Sequence, residues 1–205
     1  MLRILLALSL LGLAVPPAAA AVVWRNYSYF SVSGKTLDEL MIELSIRGPQ
    51  VRSTGQRHPG ATKLQFNTRL GYTEGGGKCW ISAATATIKA RIILPRWKDR
   101  RKAGRELRIY WDALAADIKR HEEGHVVIAK NYASQLEKEL AALPRQDSCK
   151  PVAQQAELQI EKVLEQYRKE SERFDRVESA SFDRRMQSLY QYRLERIESG
   201  RLPEP

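Results

Sequence analysis

LRIYWDALAADIKRHEEGHVVIAKNYASQLEKEL, residues 107–140, decides how the rest of the chain is read. Leu107, Trp111, Leu114, Ile118, His121, His125, Ile128, Tyr132, Leu136 and Leu140 recur at steps of three and four. That is the period of one helix face. The stripe predicts a single helix on the order of 50 Å long, at 1.5 Å per residue, running until Pro144. At its middle stands His121-Glu122-Glu123-Gly124-His125. Residues four apart on a helix project from one side, so both imidazoles share the apolar stripe, where a buried ring nitrogen needs a partner. Two neutral ring nitrogens so placed suit Zn²⁺ at about 2.0–2.1 Å. Glu122 lies one residue round, within reach of a coordinated water without itself ligating. An ion held there lowers that water's pKa toward roughly 7 and polarises a scissile carbonyl, while the carboxylate takes the proton. His121 and His125 are therefore candidate metal ligands, and Glu122 a candidate general base. Gly124 costs such a helix roughly 1 kcal/mol relative to Ala, which predicts a neighbour packed closely against it.

The sequence before this helix has strand character. Trp24 to Val32 mixes aromatics with Ser and predicts a strand. Thr36-Leu37-Asp38-Glu39 has the form of a capping box and opens a short helix, with Leu37, Leu40, Met41 and Leu44 on one face and Gly48-Pro49 closing it. Residues 50–62 form a polar loop, and His58 within it reads as a solvated loop histidine. Leu64, Phe66, Thr68, Leu70 and Tyr72 alternate with polar residues, and Gly75-Gly76-Gly77 supplies a hairpin turn. The next strand places Trp80, Ala84, Ala86, Ile88, Ala90, Ile92 and Leu94 on one face, with Cys79, Thr85, Thr87, Lys89 and Arg91 on the other. Pro95 is expected to end it, and strands so near in sequence are expected to pair antiparallel. After Pro144, Asp147-Ser148 suits a helix cap near Pro151, and charged helical spacing continues to Ile197. The fold class is α+β: a small antiparallel sheet packed on a long active-site helix, followed by a helical C-terminal tail. The chain divides into a leader at 1–21, an α+β domain at 22–150 and a charged helical segment at 151–205.

The leader sets the compartment. Arg3 precedes the apolar run Ile4–Val15, then Pro16-Pro17 and the small residues Ala18–Ala21, the three-part layout of a secretory signal. The run falls short of the roughly 20 residues a bilayer crossing requires. The reading is an exported protein, periplasmic or extracellular, with no transmembrane anchor after cleavage. In an oxidising compartment Cys79 and Cys149 are expected to pair. With 43 % hydrophobic and 28 % charged residues the composition is that of a folded globular chain, and two cysteines exclude a four-Cys zinc ribbon. The net charge of +10 includes a dense basic run, Arg96 to Arg108, with seven basic and two acidic residues. Such a run could hold an acidic envelope polymer, though a solvated connection is the ordinary use. Export and the lack of a nucleic-acid motif argue against nucleic acid.

Several pieces in order carry a family resemblance: the aromatic strand, Gly34-Lys35-Thr36 with its Leu40 helix, the Gly48-Pro49 turn, Lys78-Cys79 leading a long strand into Leu94-Pro95-Arg96-Trp97, and His121 to His125. Over roughly residues 24 to 180 the chain resembles the bacterial family of predicted secreted zinc-dependent proteases, a domain of unknown function. The resemblance implies a zinc peptidase acting on peptides or proteins. Catalytic zinc takes three protein ligands plus water. The family pattern offers a further His in an aromatic-Asp-x-x-Thr-x-His-Gly segment. Here the corresponding stretch is Phe174-Asp175-Arg176-Val177-Glu178-Ser179-Ala180-Ser181, with Ala180 at the place of that His. The third ligand is then Asp175, Glu178 or none. Its absence would favour the alternative function, a catalytically degenerate envelope binding or structural protein.

Overall fold

A computed structural model of the chain describes residues 21–51 and 55–205; the expected leader, except for Ala21, lies outside the described residues. Along these residues the elements are β1 (Val22–Val32), α1 (Leu37–Arg47), β2 (Ala61–Gly75), β3 (Lys78–Trp97), a 3-10 turn at Arg100–Lys102, α2 (Arg105–Ala141), α3 (Cys149–Ala180) and α4 (Phe182–Glu198). The architecture is α+β, a three-stranded sheet with α2 and α3 built against it and α4 packed on α2.

The hairpin forms as the alternation predicts. β2 pairs antiparallel with β3, and the turn residues Gly76 and Gly77 have φ of +59° and +71°, a left-handed conformation that glycine adopts without a Cβ clash. β1 departs from the antiparallel expectation. It lies on the other side of β3 and runs parallel to it, giving the order β1-β3-β2. The rule for strands near in sequence holds for the hairpin. β1 is separated from β3 by α1 and β2, a connection long enough for a parallel return.

Two further differences follow from register. Between Gly71 and Tyr72 the pairing shifts, so that Gly71 faces Ala83 and Tyr72 faces Ile81, leaving Ser82 as an extra residue on β3. A bulge of this kind reverses which side chains point inward. Cys79 and Ile81 are buried, whereas Trp80 is only half-buried and lies under the Arg145 guanidinium, 4.1 Å from the ring centroid. Pro95 does not end β3, which continues to Trp97. The pairing with β2 ends at Ala61–Ile93, so beyond that point β3 has a free edge that tolerates a missing N–H.

α2 is the spine of the core. Ala129 and Ala133 bring it close to Ala86 and Ile88 of β3. Trp111, Leu114, Ile118 and Val126 meet Leu40 and Leu44 of α1, Leu94 and Trp97 of β3, and Met186 of α4. Leu136 and Leu140 meet Val152, Ala156 and Val163 of α3 with Cys79 and Ile81. Cys79 and Cys149 form the expected disulfide, joining the start of β3 to the first residue of α3. Ser148 is the residue before α3, as expected of a cap, but makes no side-chain capping bond. Asp147 pairs instead with Lys78 at 2.5 Å. Among the described residues no helix is long and apolar enough to cross a membrane.

Candidate metal centre

The helical period brings His121 and His125 together as predicted. Their Nε2 atoms lie 3.3 Å apart. The third vertex comes from α3: Asp175 Oδ1 is 3.2 Å from His121 Nε2 and 3.0 Å from His125 Nε2. Three donors bound tetrahedrally at 2.0–2.1 Å stand roughly 3.3 Å from one another. The trio matches that spacing closely, and two imidazoles with one carboxylate are a ligand set zinc accepts. Ser171 Oγ lies 2.8 Å from His125 Nδ1 and orients this ring from behind, the kind of outer partner that fixes a ligand's tautomer.

Glu178, the other carboxylate considered from sequence, has a different partner. Its Oε2 is 3.9 Å from His121 Nδ1 and is engaged by Arg120 and, at 3.4 Å, by Arg185. Both guanidiniums also bind the buried Asp117 of α2. The result is a clamp between α2, α3 and α4 beside the trio. His58 is half-buried and not simply a solvated loop residue. It lines the cleft beside His121 and Glu122 but is not one of the three converging donors.

Glu122 occupies a separate position. It is 5 % exposed. The Thr62 hydroxyl of β2, with one hydrogen to donate, lies 2.8 Å from its Oε2 and 2.9 Å from its backbone carbonyl oxygen. A Cβ on Gly60 would lie 2.8 Å from Oε1, so only glycine lets the loop backbone cover this carboxylate. Burial pushes the Glu122 carboxyl above the ordinary glutamate range, against the opposing effects of the Thr62 bond and the two histidines. Burial would likewise lower His121, but the hydrogen bond it donates to Asp175 and the charges of Glu122, Asp175 and Glu178 outweigh it and raise its pKa. Burial would raise Asp175; the hydrogen bonds and charge of the two histidines hold it far below the usual carboxylate range.

Two depressions meet at this wall. One, of about 220 Å³, is bounded by Gly60, Thr62, His125 and Asp175 together with His121 and Glu122. The other, of about 320 Å³, extends toward α4 past Pro59, Ile118 and Phe182, again with His121 and Glu122 on its wall. A carboxylate shared by both depressions and set next to three converging donors is placed to exchange a proton with a small molecule lodged there.

Gly124 has the close neighbour its mid-helix position predicts. A Cβ built there would fall 2.6 Å from Phe174 Cζ. Phe174 stacks on the His121 ring at 5.0 Å and meets His125 edge-on at 5.2 Å. Gly124→Ala should therefore displace Phe174 and, with it, the adjacent Asp175. We expect a net loss of stability of about 1–3 kcal/mol despite better helix propensity. Urea unfolding of Gly124→Ala, Phe174→Ala and the double variant checks this: Phe174→Ala should cost less in the Gly124→Ala background than alone, because there it also relieves the clash.

The fold and the site define an α+β protein with a three-donor pocket on a helical hairpin. The chain belongs to the family described as bacterial protein of unknown function (DUF922), whose model matches residues 27–182. That span takes in β3, α2 and the part of α3 that carries Asp175. No curated protein and no solved structure matches the chain.

Proposed function

We propose that the protein is an exported zinc-dependent peptidase, with His121, His125 and Asp175 as metal ligands and Glu122 as general base. One observation carries the reading: three donors at ligand spacing stand beside a buried carboxylate that is not one of them. Zinc bound there supplies Lewis acidity toward a carbonyl and a water of lowered pKa. Glu122 accepts a proton from the attacking water and returns it to the leaving amine. Thr62 fixes the direction of its lone pairs. Gly60, lacking a Cβ, lets the loop backbone lie against that side of the carboxylate. Peptides or proteins are the substrate class, and the cleft on both sides of Glu122 gives a chain room to lie across it. Asp175 also favours this reading over the degenerate one, since a donor lies where the histidine replaced by Ala180 would otherwise be needed. The disulfide and the leader-type sequence support an oxidising, exported location.

The test is metal stoichiometry. The purified protein should carry about one zinc per chain. Asp175→Ala should weaken zinc by more than the roughly 10–100-fold typical of losing an outer partner, while Glu178→Ala should weaken it less. Equal zinc affinity in Asp175→Ala and the unaltered protein would remove the proposed ligand set.

A further inference from the structure

The sheet has a second face: Leu40 and Leu44 of α1 pack with its far end at Phe30, Val32 and Trp97, and the remainder, at Trp24, Asn26, Lys89 and Arg91, is exposed. Register places its side chains in rows. Asn26, Arg91 and Lys63 lie side by side across the three strands, and Trp24, Lys89 and Gln65 form the next row. Arg69 extends the set along β2, two pairs beyond Gln65. Lys63, Lys89 and Arg69 have no ion pair among the described residues, and Arg91 donates only to Ser28 Oγ, at 3.4 Å. The two rows contain three cations and no carboxylate. In the basic run Arg96 to Arg108, two of the seven cations are paired, Arg100 with Asp112 and Arg105 with Glu204.

The arrangement is self-repelling. Lys63 stands directly opposite Arg91, with Lys89 one pair away on the same face. Like charges opposite each other destabilise a sheet, and a polyanion laid across the rows would relieve that repulsion. The surface is also concave, a groove of about 680 Å³ that includes Trp24, Asn26, Ser28, Lys63, Lys89 and Arg91. Trp24 is 65 % exposed, an open aromatic face at the edge strand.

We propose that this groove binds an acidic polysaccharide, through Lys63, Lys89 and Arg91 to its carboxylates and through Trp24 stacked on a sugar ring. The neutral side chains favour a glycan over other polyanions. Asn26, Ser28 and Gln65 alternate with the cations and offer hydrogen bonds to hydroxyl groups, matching a polymer rich in hydroxyls and moderate in charge. The exposed large apolar side chains of this face are Val22 and Trp24 at one edge, with Ile93 and Phe30 half-buried beyond the rows, too little for an interfacial membrane anchor. The site is independent of the metal centre, which lies on the opposite side of the sheet.

Polygalacturonate is the probe, with neutral dextran, phosphatidylglycerol vesicles and an oligothymidylate as comparisons. The full protein should bind polygalacturonate at low salt, lose it at about 0.5 M salt, and ignore dextran. Lys89→Glu with Arg91→Glu should weaken binding by roughly tenfold or more, and Trp24→Ala several-fold. Lys63→Gln removes the opposed charge without reversing it; it should weaken binding while its melting temperature holds or rises, which separates a lost contact from misfolding. Unchanged binding in these variants, equal retention on dextran, or tighter binding to the vesicles or the oligonucleotide would overturn the proposal.

Discussion

Glu122→Gln should abolish most peptide hydrolysis, lowering kcat by roughly 10²–10⁴-fold, the range for losing a positioned general base. The substitution is nearly isosteric and leaves every donor of the trio in place. Thr62 Oγ1 can still donate to the amide oxygen, so the side chain keeps its direction. An uncharged group in a site 5 % exposed also avoids the desolvation of a carboxylate. Zinc content should therefore be unchanged, and the melting temperature equal or higher. A variant that lost zinc as well would show Glu122 to be a ligand; one that kept full hydrolysis would end its role as base.

Removing the disulfide with Cys79→Ala and Cys149→Ala should have the largest effect on stability. The bridge spans a sequence separation of 70 residues. Loop-closure entropy for that length is on the order of 4 kcal/mol, which corresponds to a fall in melting temperature of about 10 °C for a chain of this size. Two backbone bonds between Cys79 and Gln146, at 2.7 and 2.9 Å, remain to hold the same junction and limit the loss. Calorimetry of the double variant beside the oxidised protein measures the difference. A change within about 1 °C would show that these bonds and the core already fix α3 without the bridge.

The parts legible in the sequence are those encoded by short periods. The stripe from Leu107 to Leu140 gave α2 its extent and put His121 and His125 on one side; alternation around Phe66 and Ile88 gave the hairpin. Gly124 announced a close neighbour, though not that Phe174 would be it. What escaped reading is non-local. Nothing in Val22–Val32 states its direction, because a parallel partner is chosen by the connection through α1 and β2. The bulge at Ser82 is a single-residue offset that an alternating pattern cannot show. Asp175 and Glu178 are three residues apart on one helix and chemically alike. Only the packing of α3 on α2 turns one toward the imidazoles and gives the other to Arg120 and Arg185. The Thr62 bond to Glu122 depends on the loop before β2, which reads as polar and featureless.

α3 begins at the covalent bridge and carries Asp175 26 residues later, a distance of roughly 39 Å along its axis. It is thus fastened at its first residue to β3 and, far down its length, to α2. A rod secured at one end and near the other resists fraying in between. Its interior amides should exchange with solvent only through large-scale opening, whereas α4 beyond Arg193, past the last ion pair that ties it to α2, should exchange through smaller excursions. Asp175 would then stand inside the slow part of the helix, between the bridge and the Glu178 clamp.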